Sequence, residues 1–235
     1  MLAIYKRELR SYFTSVIGYV FLVLFLAVAG AVFCYTTLFS MSADMTGFFT
    51  FMLIFSAVVL PLLTMKSFSE ERKIKTEQLL LTAPVSLTGM VLGKFLAAMT
   101  VFAGVAIFTS LYALVLIPYA SLKVALLFGN LISILLVGMT FITIGLFVSA
   151  MTENQLAAAV GTIAIILAFL GISLLNALLP SAYWLRYVFN CLSLFSRYQN
   201  FVNGIFDISA LLYYISVSGI FLYLTVRIYD RRRYN

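Results

Sequence analysis

No histidine occurs anywhere in this 235-residue chain. That removes the usual general base and the commonest zinc ligand together. Ser–His, Cys–His and H-E-x-x-H arrangements are therefore excluded. Cysteine is nearly as scarce, with only Cys34 and Cys191, and they show no metal spacing. The pair is compatible with a disulfide or with two free buried thiols. Charge is thin too: 10% of residues are Asp, Glu, Lys or Arg, and only 8 are acidic. A water-soluble domain carries about 25%. None of the acids falls in the middle of an apolar run, where an ion-coupled carrier keeps its ionisable groups. This argues against a secondary transporter, although broken helices with backbone ion sites would escape the argument. A nucleotide site is absent as well. Gly93-Lys94 resembles the end of a phosphate loop, but Phe95 follows instead of Ser or Thr, and no glycine precedes at the required spacing.

What the chain does have is apolar length. Hydrophobic residues make up 64% of it, in runs long enough to cross a bilayer, which takes about 20 residues. The fold class expected is all-α and polytopic, one domain over residues 1–235. Six spans are read at about Val16–Phe39, Thr46–Met65, Leu87–Ile117, Val124–Met151, Leu156–Leu179 and Ser209–Ile228. The first is longer than the h-region of a signal peptide, so cleavage after Ala29 is not expected. Pro61 removes a backbone donor near the end of the second span and can kink it. Gly89, Gly93 and Ala97 recur every fourth residue in the third, a pattern that lets another helix approach closely. Gly138 and Gly145 share a face of the fourth, and Ala157 and Gly161 pair in the fifth.

The net charge of +7 flanks the apolar runs, so it reads as topology and headgroup contact rather than nucleic-acid binding. Lys6, Arg7, Arg10, Lys66, Arg72, Lys73, Lys75, Lys94, Arg227, Arg231, Arg232 and Arg233 collect on one side, against Lys123, Arg186 and Arg197 on the other. The positive-inside rule then expects both termini in the cytoplasm.

Three non-spanning stretches stand out. Residues 1–15 read as an interfacial amphipathic helix, with Leu2, Tyr5, Leu9, Tyr12 and Phe13 on one side and Lys6, Arg7, Arg10 and Ser11 on the other. Lys66–Val85 is the long polar interruption on the basic side. Ser69 before Glu70, Glu71 and Arg72 reads as a helix start, Glu70–Lys73 and Glu71–Lys75 as supporting pairs, and Pro84 as the stop. Residues 180–207 are too polar to span and too aromatic for a free loop. Tyr183, Trp184, Phe195, Tyr198 and Phe206 suggest short interfacial or re-entrant helices on the outer face.

Ser67-Phe-Ser-Glu-Glu-Arg-Lys-Ile-Lys-Thr-Glu-Gln-Leu-Leu-Leu-Thr-Ala-Pro-Val-Ser86, followed by Val91-Leu-Gly-Lys-Phe-Leu96, resembles the signature of ABC-2-type permeases, the membrane subunits of ATP-binding-cassette exporters. Leu194–Tyr198, Asn203–Asp207 and the basic tail Asp230–Arg233 are similar to the family too. Gliding-motility and nitrous-oxide-accessory permeases look most alike. The resemblance implies a non-catalytic permease that binds no cofactor itself. ATP and Mg would sit on two copies of a cytosolic ABC ATPase, and a second permease chain, identical or related, would complete the assembly. Lys66–Val85 would be the coupling helix, with Glu70, Glu71, Arg72, Lys75, Thr76 and Glu77 docking the ATPase. Thr152, Glu153 and Asn154 would form a second inner contact. Gly89, Gly93 and Ala97 would offer a sliding face, and Tyr183, Trp184, Phe195, Tyr198 and Phe206 an outer gate. Many members carry Gly where Lys75 stands, which favours a continuous helix here. The setting implied is a bacterial cell membrane. A membrane anchor for an ATP-driven mechanical or assembly complex, with an auxiliary subunit bearing a large outer domain, is the alternative implied. The apolar, aromatic and hydroxyl interior suits lipid-like, peptide or drug-like cargo.

Overall fold

The computed structural model describes residues 1–40, 45–77, 86–116, 124–178, 193–203 and 207–234. Among them every regular element is helical. In chain order these are α1 (Leu2–Thr14), α2 (Val16–Phe33, extended by a π-helical turn Cys34–Leu38), α3 (Thr46–Thr64), α4 (Lys66–Lys73), α5 (Leu87–Ser110, extended by a 3-10 segment Leu111–Leu116), α6 (Val124–Met151), α7 (Gln155–Leu178), α8 (Leu194–Val202) and α9 (Ile208–Tyr234). Six of these segments are long and apolar enough to cross a membrane, so the protein is a polytopic helical membrane protein. The span limits agree with the sequence reading except at the end. There, the basic tail is not a tail: α9 stays helical through Arg231, Arg232 and Arg233.

The centre of the bundle is α6. Val137, Phe141, Ile142, Ile144 and Leu146 are fully buried, and α3, α5, α7, α8 and α9 all pack on this helix. Its two glycines make the closest approaches. A Cβ on Gly138 would stand 2.0 Å from Phe102 Cε1, and one on Gly145 would stand 2.1 Å from Thr64 Oγ1. Phe102 of α5 and Thr64 of α3 therefore enter notches that only glycine leaves open. In a bilayer, where lipid tails are as apolar as leucine, such close packing is what holds helices together.

α1 folds back sharply on α2. Ser15 Oγ accepts the Gly18 amide at 3.4 Å as an N-cap. Gly18 lies so close to the Tyr12 carbonyl that a Cβ there would sit 1.9 Å from its oxygen. The face α1 turns to the protein carries Ile4, Glu8 and Tyr12, while Leu2 and Phe13 face outward. The helix thus has an inward stripe that includes an acid, which differs from the simple apolar/basic division read from sequence.

Gly89 and Gly93 receive α1 rather than another span. A Cβ on Gly93 would meet Ile4 at 3.2 Å, and Gly89 faces Met1. Ala97 is buried in the same helix. Pro61 stays within α3, and Met65 alone separates α3 from α4.

Candidate functional site: a charge-paired cap around α4

The Lys66–Val85 stretch is built differently from its sequence reading. Ser69 does not cap a helix start; it is buried inside α4 and its hydroxyl donates to the Met65 carbonyl. Nor is the helix continuous through Lys75. It ends at Lys73, and Lys75 turns the chain with φ +58°. The left-handed region costs a residue with a Cβ roughly 1–2 kcal/mol, so a turn is held here despite the side chain. Leu79–Leu81 and Pro84 lie outside the described residues. The expected Glu70–Lys73 and Glu71–Lys75 pairs are replaced: Lys66 Nζ stands 3.6 Å from Glu70 Oε2, and Glu71 points inward.

Glu71 meets the residue that sequence reasoning passed over. Lys94, seven residues into α5, is only 1% exposed. Its Nζ donates to the Ser67 carbonyl at 2.6 Å and to Glu8 Oε1 at 3.1 Å, and lies 2.9 Å from Glu71 Oε1. Two hydrogen bonds and one ion pair thus hold it, and the ammonium also rests over the Phe68 ring, 4.9 Å from the centroid. Arg7 closes the group, 2.7 Å from both Glu8 and Glu71. Burial by itself would lower the Arg7 guanidinium, but the hydrogen bonds and charges of Glu8 and Glu71 outweigh it and hold it above its usual value. Burial, helped by the Glu8 carboxylate, pushes the Tyr12 phenol up. A lysine that deep in an apolar helix demands acids from elsewhere, and that demand was the signal available in the sequence.

The other side of α4 is tied to α6 and α9. Ser149 Oγ accepts the Phe68 and Ser69 amides at 3.1 Å each and donates to the Met65 carbonyl at 3.0 Å. These are three backbone groups left open by the break at Met65. The C-terminus of α6 is met by two arginines. Arg72 donates to the Met151 carbonyl at 2.8 Å, and Arg232 of α9 to the Ala150 carbonyl at 2.7 Å. Cations at that end suit the helix dipole. Arg232 also reaches Glu77 at 2.9 Å, and Tyr229 packs against Phe68 with ring centroids 4.9 Å apart and the rings tilted by 39°. Thr76 Oγ1 donates to the Glu71 carbonyl at 3.3 Å.

The Thr152–Asn154 turn does link α6 to α7, and it sits beside α4: Glu153 Oε1 is 3.0 Å from Arg72 Nε. Asn154 has a structural duty, since its Oδ1 accepts the Leu156 amide at 3.0 Å as a cap of α7. Thr152 donates back to the Val148 carbonyl at 3.3 Å.

Of the six residues expected to dock a partner, then, Glu71, Arg72 and Glu77 are occupied inside the chain. The segment's free tip is Lys73, Ile74 and Lys75, with Ile74 61% exposed. Leu156 and Met151 are exposed apolar side chains on the same end of the bundle.

At the opposite end, Tyr183, Trp184 and Phe206 lie outside the described residues. Tyr198 and Phe195 are on α8, whose Ser193 N-cap accepts the Ser196 amide at 3.2 Å. Tyr198 is fully buried and donates to the Phe49 carbonyl of α3 at 2.7 Å; Tyr214 of α9 donates to the Leu194 carbonyl at 2.8 Å. Phe195 is half-buried. Tyr198 thus anchors α8 to the bundle. Cys34 is a free thiol and exposed, not buried; Cys191 lies outside the described residues. Among the described residues no group of three or more metal-ligating side chains comes together.

Six membrane-length helices under a charge-paired cap define a multi-pass membrane protein whose polar chemistry is concentrated at one end. Residues 2–229 match the family described as ABC-2 family transporter protein, and the chain belongs to that family. It is a permease subunit of an ABC transporter, a membrane transport component whose family works with an ABC ATPase subunit. No curated protein matches the chain.

Proposed function

We propose that this permease serves an ATP-driven exporter, and that the turn after α4 is where the ATPase takes hold. The observation that carries this reading is an exposed Ile74 between two exposed lysines, at the end of a short helix fastened to α1, α5, α6 and α9. An apolar knob ringed by cations suits a groove with an acidic rim. A push on the tip passes to the four attached elements through the ion pairs, hydrogen bonds and ring contact that hold them to α4. Two ATPase subunits, each with ATP and Mg, and a second permease chain complete the working unit. The α4 end, both termini and the Thr152–Asn154 turn face the cytoplasm of a bacterial cell.

The test uses the full chain purified with the ATPase encoded nearest to it. Ile74→Asp with Lys75→Glu is expected to lower ATPase co-purification and stimulated ATP hydrolysis at least about tenfold, equivalent to about 1.4 kcal/mol, while thermal unfolding of the permease alone is unchanged. Full stimulation in that variant overturns the docking assignment. Charge reversal at Glu71 or Glu77 is a poorer probe, since each would break ion pairs inside the permease itself.

A further inference from the structure

A cavity of about 480 Å³ opens at the charged end between α1, the start of α2, the end of α3 and α4. This is in the size range of ligand sites, roughly 300–1,000 Å³. Its wall is not of one sign. Arg7, Lys66 and Lys94 line it with cations, Glu8, Glu70 and Glu71 with carboxylates, and Ser11 and Ser15 with hydroxyls. Its base includes Ile17, and Ile17 also begins a second, wholly apolar cavity of about 130 Å³ between α2 and α3. That groove continues along Val20, Leu24 and Leu62, all of which are exposed on the outer surface of the bundle. A polar chamber at the membrane boundary therefore adjoins, across Ile17, a bilayer-facing apolar furrow. This is the order of parts in a phospholipid: headgroup, then acyl chain.

The charges narrow the headgroup. Lys94 is already held by Ser67, Glu8 and Glu71, and Glu71 is shared between Lys94 and Arg7. The loosely held pair is Lys66 and Glu70, 3.6 Å apart with both side chains about a third or more exposed. A phosphate placed between Arg7 and Lys66 would leave Glu70 facing it, so a purely anionic headgroup meets repulsion. A primary ammonium satisfies Glu70 with charge-assisted hydrogen bonds. A choline has no N–H to donate. We infer that this chamber and furrow form a binding site for a zwitterionic, primary-amine phospholipid, with phosphate on Arg7 and Lys66, ammonium on Glu70 and one acyl chain along Val20 and Leu62. The assignment depends on the chain's crossing a membrane and not on the direction of transport.

The experiment uses the purified, delipidated full chain in detergent. Phosphatidylethanolamine, phosphatidylcholine and phosphatidylglycerol with identical acyl chains are titrated and bound lipid is counted by native mass spectrometry. Phosphatidylethanolamine is expected to bind about tenfold more tightly than either of the others, the scale of one charge-assisted hydrogen bond. Glu70→Gln is expected to abolish the preference over phosphatidylcholine while some binding of both persists, and Val20→Trp, which fills the furrow, to lower binding of all three. Each variant is compared with wild type for unfolding in lipid-free detergent, so that loss of fold is separated from loss of site. Equal binding of the three lipids, a preference for phosphatidylglycerol, or a preference that survives both substitutions in folded protein overturns the proposal.

Discussion

Lys94 shows how much one residue can decide. Its ammonium is removed from water and is held by Glu8, Glu71 and the Ser67 carbonyl. Replacing it with an isosteric apolar side chain would leave two carboxylates facing each other with Arg7 alone between them. Removing one partner from a buried ion pair costs about 3–5 kcal/mol. Lys94→Met is therefore expected to lower the unfolding free energy by about 3 kcal/mol, read as a lower thermal midpoint in detergent. The triple change Lys94→Met, Glu8→Gln, Glu71→Gln should recover part of it. Lys75 is the opposite case. Its resemblance-based reading, that a lysine where relatives carry glycine means continuous helix, does not hold, because φ is +58° there. The backbone needs the turn whichever residue occupies it, so side-chain identity was a poor guide to conformation.

At the scale of elements, packing depends on where small residues face. Gly138 accommodates the Phe102 ring, while Gly104 has nothing within 4 Å of where its Cβ would be. Gly138→Ala is expected to destabilise by about 1–3 kcal/mol, the usual range for overpacking, and Gly104→Ala to cause no loss, since alanine is the better helix former by about 1 kcal/mol. Adding Phe102→Leu to Gly138→Ala should restore part of the stability. Thermal unfolding of the four proteins checks this; equal effects at both glycines would mean that α5 and α6 do not interlock at this point. The Gly89–Gly93 pair lies on α5 too, but its partner is the surface helix α1. A spacing that promises close approach does not name the helix that comes close.

Across the whole molecule, the charged end behaves as one assembly. Residues from the first helix, the fourth, the fifth, the α6–α7 turn and the last helix meet around α4. Arg232 joins the end of the chain to this group through Glu77 and the Ala150 carbonyl. Arg232→Met is expected to leave the spans intact and to speed amide hydrogen exchange in residues 66–77 by roughly tenfold, the scale of one or two lost hydrogen bonds of about 1 kcal/mol each. Unchanged exchange there would show that Arg232 does not hold this segment. The basic C-terminal run is thus a structural brace as well as a topology signal.

By itself, the sequence determined the bundle. Six apolar runs, the break at Ser15, the polar interruption after Met65 and the three-residue turn at Thr152–Asn154 were all legible, because each follows from hydrophobic length, capping or charge within a few neighbouring positions. Only the tertiary structure decided how the polar residues are used. The resemblance gave Glu71, Arg72 and Glu77 as docking residues, and the structure adds that each has a partner inside the chain; sequence reports which residues are charged but not which charges meet. The partners of Lys94 lie 86 and 23 positions away, on α1 and α4. A buried charge finds its counterion wherever the fold brings one within about 3 Å, and no local pattern encodes that distance.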